Sequence, residues 1–273
     1  ATANPIAAYA VAMGTRRLLG RITLAVGILA LLASVAGCGG GDSEVVDEGP
    51  QPRAPMVNAP SLPIEGIAAS AVATGVPTWR SYVATGKEDL ASVPVFKAPG
   101  GEQIATVPNR TNDGFPAVFL VRRLDVPGPD ATVWHEVWLP IRPNGSHGYV
   151  RGDDVTLSYH DYKLRVNLSD HRLSLYTAGQ LTATYPVGVG QDRTPTPGGT
   201  FYTKELLQPT NRGGPYGTFA YGLSGFSNTL TSFAGSDGVV GIHGTDQPDT
   251  VGTDVSAGCI RMNNADINEL ARR

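Results

Sequence analysis

The chain is poor in charge, in lysine, in aromatic residues and in cysteine, and the balance of charge and the cysteine count each narrow the function. Charged residues make up 16% of the 273, and only four of them are lysines: Lys87, Lys97, Lys163 and Lys204. The formal charge is −3; without residues 1–37, which hold Arg16, Arg17 and Arg21 and no acid, 18 basic residues face 24 acidic ones, or −6. Phosphate binding needs a basic face, so nucleic acid is excluded as a partner. There are two cysteines, Cys38 and Cys259. Each sits in its own motif with its own use for a free thiol, so no disulfide is expected. One cysteine with one nearby histidine falls short of a zinc ligand set, and no phosphate loop or dinucleotide fingerprint occurs. No metal and no cofactor is therefore expected. What is plentiful is glycine (34) and proline (21), as in a soluble β-rich protein with many turns.

Only one segment is apolar enough to meet a membrane. Met13 is followed by Arg16, Arg17 and Arg21 and then by the run Ile22 to Ala33, a basic region and a hydrophobic region of signal-peptide length, shorter than the ~20 residues of a spanning helix. The run ends in Val35-Ala36-Gly37-Cys38, which resembles the bacterial lipobox and implies lipidation at Cys38. Residues 1–37 thus read as an upstream extension plus a lipoprotein signal peptide. Residues 38–78, with Pro50, Pro52, Pro55, Pro60 and Pro63 and no periodicity, read as a lipid-anchored disordered tether. The expected location is outside the cytoplasm, anchored on the outer face of the cytoplasmic membrane or in the periplasm.

Two folded units follow. Residues 79–157 read as short strands, among them Val93–Phe96, Gln103–Val107, Ala117–Val121, Trp134–Leu139 and Gly148–Val150, with turns at Pro99-Gly100-Gly101 and Pro143-Asn144-Gly145. A small β-barrel is the natural expectation. The stretch Trp138 to Val150, ending in Gly148-Tyr149-Val150, resembles bacterial SH3-like domains, which implies a wall-binding or positioning module. In residues 158–273, Leu164, Val166 and Leu168 alternate with polar residues, and Leu173 and Leu175 repeat the pattern after Ser169-Asp170. A third strand runs through Leu181, Ala183 and Tyr185 into Val187 to Gly190, and another is expected over Thr200–Thr203. Only the end reads as helix, with Asn263 as cap and Ile267, Leu270 and Ala271 on the apolar face. The expected fold is mostly β, a small SH3-like barrel followed by a β-rich catalytic domain with one or two short helices.

The chemistry-bearing residues gather near the C-terminus, in Gly241-Ile242-His243-Gly244-Thr245 and in Ser256-Ala257-Gly258-Cys259-Ile260-Arg261-Met262. Cysteine attacks as thiolate, and a neighbouring imidazole is needed to populate the anion at neutral pH. His243 is the nearest of the five histidines along the chain. The N–H groups of Gly258 and Cys259, with that of Ala257, are candidates for an oxyanion hole, and Gly258 lets the backbone approach a substrate. Arg261 suits a carboxylate. Gly222-Leu223-Ser224-Gly225-Phe226 lacks the final glycine of a nucleophile elbow.

His243-Gly244, eleven residues, then Ser256-Ala257-Gly258-Cys259-Ile260-Arg261-Met262 and the pair Asp266 and Leu270 resembles the L,D-transpeptidase catalytic domain, the YkuD-like family. The resemblance extends back through Leu173–Tyr176, Tyr185–Gly190 and Thr196–Phe201 and covers about 110 residues. It implies a cysteine-dependent acyltransferase of peptidoglycan synthesis. Cys259 would take an acyl group from a donor stem at the diaminopimelate–D-Ala bond, and the amine of an acceptor stem would resolve the thioester into a 3→3 cross-link. It further implies His243 as general base, Ser256 and Gly258 as loop-shaping residues, Arg261 near the substrate carboxylate, Gly244 and Tyr221 as further substrate-binding residues, a substrate-covering flap in the loop with Gly214-Pro215-Tyr216-Gly217 and Tyr221, and acylation of Cys259 by carbapenems. The same thioester would serve L,D-carboxypeptidase or D-amino-acid exchange activity. A different class of reading is a non-catalytic wall-binding lipoprotein. Family domains usually continue past the last helix into a further strand, and the chain as given stops at Arg273, which leaves truncation or loss of that strand open.

Overall fold

The computed structural model describes residues 79–232 and 237–273; the expected signal peptide, Cys38 and the tether lie outside the described residues. The first unit holds β1 (Ser81–Gly86), β2 (Ser92–Phe96), β3 (Gln103–Pro108), β4 (Val118–Pro127), β5 (Val133–Trp138), β6 (His147–Arg151) and β7 (Val155–His160). They form one antiparallel sheet in the order β3-β2-β6-β5-β4-β1-β7. Period-two alternation sends Val93 and Val95, Phe119 and Val121, Val137 and Val150 to one face, and that face must be covered. The sheet covers it by curling. Val107 of β3 and Val155 of β7, from its two opposite ends, share one core with Ala84 and Phe119. Gly100 (φ 69) and Gly145 (φ 88) take the left-handed backbone at the two expected turns, where an L side chain would be strained. β7 pairs along its length with β1 and runs past 157 to His160.

The second unit opens with a three-stranded meander, β8 (Tyr162–Asn167), β9 (Arg172–Thr177) and β10 (Gln180–Pro186). Asn167 Oδ1 accepts the amides of Ser169 (3.1 Å) and Asp170 (3.3 Å), so the β8–β9 turn is closed by its own side chain. The β9–β10 turn has positive φ at both Ala178 and Gly179, the turn whose twist matches a hairpin. Leu164 pairs with Leu175 and Val166 with Leu173, and these join the second core with Val187, Met262, Ile267 and Leu270.

A four-stranded sheet carries the site: β12 (Thr203–Leu207), β13 (Ala220–Phe226), β14 (Val239–His243) and β16 (Ile260–Arg261), in that order. Beside it, β11 (Val189–Gly190) pairs in parallel with β15 (Asp254–Ser256). β12 starts later than the expected Thr200, because the Tyr202 amide donates to the Ser224 hydroxyl and not to a strand carbonyl. One helix, α1 (Asn264–Leu270), follows β16 and buries Ile267 and Leu270. Asn263 stands at its N-cap position but makes no side-chain capping bond; the asparagine that works is the next one, Asn264, described below.

The two units are tied at the turn after β5. Asn144 pairs both ways with the Phe226 backbone, its Nδ2 donating to the carbonyl (2.7 Å) and its Oδ1 accepting the amide (2.9 Å). Arg142 donates to the carbonyls of Ser227 (2.8 Å), Leu230 (3.0 Å) and Asp237 (2.8 Å). One guanidinium therefore grips both stems of the β13–β14 connection.

Candidate active site

The register of the four-stranded sheet decides which side chains meet. Leu206, Tyr221, Ile242 and Ile260 lie side by side across the strands, and all four belong to the core or pack against it. Alternation then sends their sequence neighbours to the other face. One row on that face is Leu207, Ala220, His243 and Arg261. The next is Glu205, Gly222 and Gly241, extended by Cys259, whose Sγ accepts the Gly241 amide at 3.4 Å. Cys259 and His243 thus sit diagonally on adjacent parallel strands and face the same way. Gly241 and Cys259 are only partly covered, so this face is open.

His243 is buried, and its Nδ1 lies 2.6 Å from the Gly244 carbonyl. A carbonyl only accepts, so Nδ1 carries the hydrogen and the lone pair of neutral imidazole is on Nε2. Burial pushes the His243 pKa below its ordinary value, against the Gly244 bond and helped by the Arg261 charge. Burial also pushes the Cys259 thiol up, opposed by the Gly241 amide and Arg261. The resting pair is therefore thiol and neutral imidazole. This departs from the expectation of an anion populated by the imidazole, since desolvation penalises both charged forms. Among the described residues no hydrogen bond joins Cys259 Sγ to the His243 ring.

The loop before Cys259 is laced by Ser256. Its buried hydroxyl donates to the Cys259 carbonyl (2.5 Å) and accepts the Gly258 amide (3.0 Å). The Gly258 N–H, expected in the oxyanion hole, is therefore already engaged. The amides of Ala257 and Cys259 have no protein acceptor among the described residues and remain available as donors. Gly258 has φ 117 and nothing closer than 3.7 Å to an added Cβ. It is required for its dihedral, not for room. Arg261 is held by two backbone bonds to Gly188, each 2.8 Å, and its Nη1 donates to Gln247 (3.3 Å). Its Nε is shielded and has no partner among the described residues.

Two expected substrate contacts lie elsewhere. Tyr221 faces the core, buried beside Ile242, because strand parity puts it opposite Gly222. Gly244 is packed under the site: an added Cβ would lie 2.2 Å from Asn264 Oδ1. The aromatic at the site is Tyr216, whose ring stands edge-on to His243 at 5.0 Å between centroids and whose hydroxyl pKa is raised by burial and by Cys259. Asn264 was not legible as a site residue. Its Oδ1 accepts the amides of Thr218 (3.3 Å) and Thr245 (3.1 Å), and its Nδ2 donates to the Thr245 carbonyl (2.9 Å). It joins the loop bearing Tyr216 to the end of the strand bearing His243.

Comparison with known proteins finds similarity over the second unit. Residues 161–273 match the family model of YkuD, the L,D-transpeptidase catalytic domain. Two curated relatives share the name "Putative L,D-transpeptidase YkuD". That of Bacillus licheniformis is 41% identical over 110 residues, 40% of this chain and 58% of its own. That of Bacillus subtilis is 37% identical over 119 residues, 44% of this chain and 62% of its own. The chain thus spans about three fifths of these relatives. The solved L,D-transpeptidase from Mycobacterium smegmatis has a TM-score of 0.34 at 15% identity, over 70% of this chain and 94% of that one.

Proposed function

We propose that this protein is an exported peptidoglycan L,D-transpeptidase that forms 3→3 cross-links through a Cys259 thioester. The observation that carries the reading is the shared open face of Cys259 and His243, with Nε2 left as the free base by the Nδ1–Gly244 bond. In the first step Sγ attacks the carbonyl carbon of the diaminopimelate residue of a donor stem while Nε2 takes the thiol proton. The oxyanion is met by the Cys259 and Ala257 amides. The carbon–nitrogen bond then breaks, and D-Ala leaves with the proton returned from Nε2. In the second step the amine of an acceptor stem attacks the thioester, His243 takes its surplus proton, and the sulfur departs and is reprotonated. The Arg261 guanidinium, in the same row as His243, holds a stem carboxylate.

The matching domain, the motif and the geometry support this reading over a purely wall-binding role. Purified protein incubated with tetrapeptide muropeptides is expected to give 3→3 dimers by mass spectrometry, and Cys259→Ala to give none while keeping its fold. Trimmed tripeptides without dimers would assign water as the acceptor, and an unchanged dimer yield in the variant would end the enzyme reading. A carbapenem is expected to add its mass at Cys259. We also propose a lipid anchor at Cys38, tested by whether Cys38→Ser frees the protein from membranes, and a positioning role for the first unit, held by Arg142 and Asn144.

A further inference from the structure

The row that ends in Cys259 has a second functional group at its other end. Gly222 and Gly241 are adjacent in register and lack side chains, so the open face has a bare floor between β12 and β16. Gly241 cannot be replaced without cost, since an added Cβ would meet the Tyr221 carbonyl oxygen at 2.9 Å, and one at Gly222 would meet the Glu205 side chain, Oε1 at 2.8 Å. Those contacts also locate the groups. Glu205 lies across Gly222, and Cys259 Sγ leans back over the Gly241 amide at 3.4 Å. Carboxylate and sulfur therefore face each other along the groove, roughly 5–9 Å apart by strand spacing and side-chain reach. Glu205 Oε2 is shielded from solvent and has no hydrogen-bond partner among the described residues. A shielded, unpaired carboxylate oxygen is costly unless something cationic meets it.

We infer that Glu205 is a specificity-determining residue that binds an ammonium on the side chain of the donor residue whose carbonyl is attacked. The inference rests on the acyl-transfer reading and names the donor chemistry for it. The attacking amine of the acceptor is excluded as the ligand, because it must come within bonding range of the thioester carbon, and Glu205 lies too far along the floor. A four-carbon side chain ending in a charged amine spans about 6 Å from its Cα, which matches the length of the bare floor. An acyl residue with a short or neutral side chain would leave the carboxylate unmet.

The test compares two donors in acyl-enzyme formation, read by intact mass: a tetrapeptide stem with a free distal amine, and the same stem with that amine acetylated. The full chain is expected to prefer the free amine roughly ten- to a hundredfold in kcat/KM, the worth of one charge-assisted hydrogen bond. In Glu205→Gln, which keeps the shape, the ratio should collapse toward one, and in Glu205→Asp part of it should return. The alkylation rate of Cys259 by iodoacetamide checks that each variant keeps its site. A ratio unchanged in Glu205→Gln overturns the inference while leaving the acyl-transfer reading intact. Failure of the unaltered chain to form an acyl-enzyme with either donor overturns both.

Discussion

His135 in the first sheet and His243 in the second are both almost wholly buried, and they carry their hydrogens on opposite nitrogens. At His135 the Asp125 amide donates to Nδ1 at 3.2 Å. That nitrogen must stay unprotonated, and its lone pair is used up by a backbone donor. At His243 the partner is a carbonyl, which fixes the hydrogen on Nδ1 and leaves Nε2 facing the nucleophile's side of the sheet. The same residue type is thus inert or reactive according to which backbone group it meets. The outer faces of the two sheets differ in the same sense. On the first, Glu136 is gripped by Arg122 (2.5 Å) and Arg123 (2.6 Å), and Arg122 stacks over Trp138. On the second, Ala220, Gly222 and Gly241 leave the surface bare. A face with its partners in place braces the fold, and a face without them is where a ligand can act.

The contrast breaks most sharply at the two histidines. His243→Ala is expected to lower kcat/KM for acyl transfer by roughly 10²–10⁴-fold, and also to lower the thermal midpoint, because it empties a buried position and leaves the buried Gly244 carbonyl unpaired. His135→Ala should keep its turnover and lose about 1–3 kcal/mol of stability, because it empties a buried position and removes a hydrogen bond. Parallel kinetics and thermal unfolding decide it. Next in size is Ser256→Ala, expected to cost roughly tenfold or more in kcat with KM held, because the loop that aims the Cys259 and Ala257 amides loses both its ties. A raised KM with kcat unchanged would refute that role. Arg142→Ala should cost about 1–2 kcal/mol and expose the β13–β14 connection to protease, with cleavage sites read by mass spectrometry.

The smallest effect is on pH. His135, His160 and His243 are all held below their ordinary pKa by burial. The unfolded chain therefore binds protons first as the pH falls below about 6.5, and stability is lost from there down to the depressed folded values. The thermal midpoint should be lower at pH 5 than at pH 7.5, with a smaller drop in His135→Gln. Acyl transfer should hold through the first part of that fall and drop only as the pH nears the depressed folded pKa of His243.

The elements that alternate cleanly were legible in the sequence. Leu164 to Leu175 read correctly as a buried hairpin face, and Cys259 and His243 could be singled out by chemical type and motif. What could not be read was parity between strands. Tyr216 and Tyr221 look equally eligible in a glycine-rich stretch, and only the pairing of Tyr221 with Ile242 sends one to the core. Glu205 is one charged residue in an unremarkable run until register puts it in line with Cys259. Gly258 was expected to offer its amide to an oxyanion; that amide is engaged because Ser256 folds back two residues, which no periodicity encodes. Asn263 and Asn264 are indistinguishable as caps until the helix start is placed.

The parallel pairing of β14 with β16 has an evolutionary corollary. Parallel neighbours cannot be joined by a tight hairpin, so the base and the nucleophile are separated by a long crossover whose stretch from Asp246 to Asp249 is exposed. Reactive geometry resides in the ladder and in the Ser256-tied turn beside Cys259, not in that exposed tip. Insertions, deletions or swaps at the crossover tip can reshape what approaches the sulfur without disturbing the alignment that makes it react, so new substrate preferences can be sampled there while the chemistry is inherited unchanged.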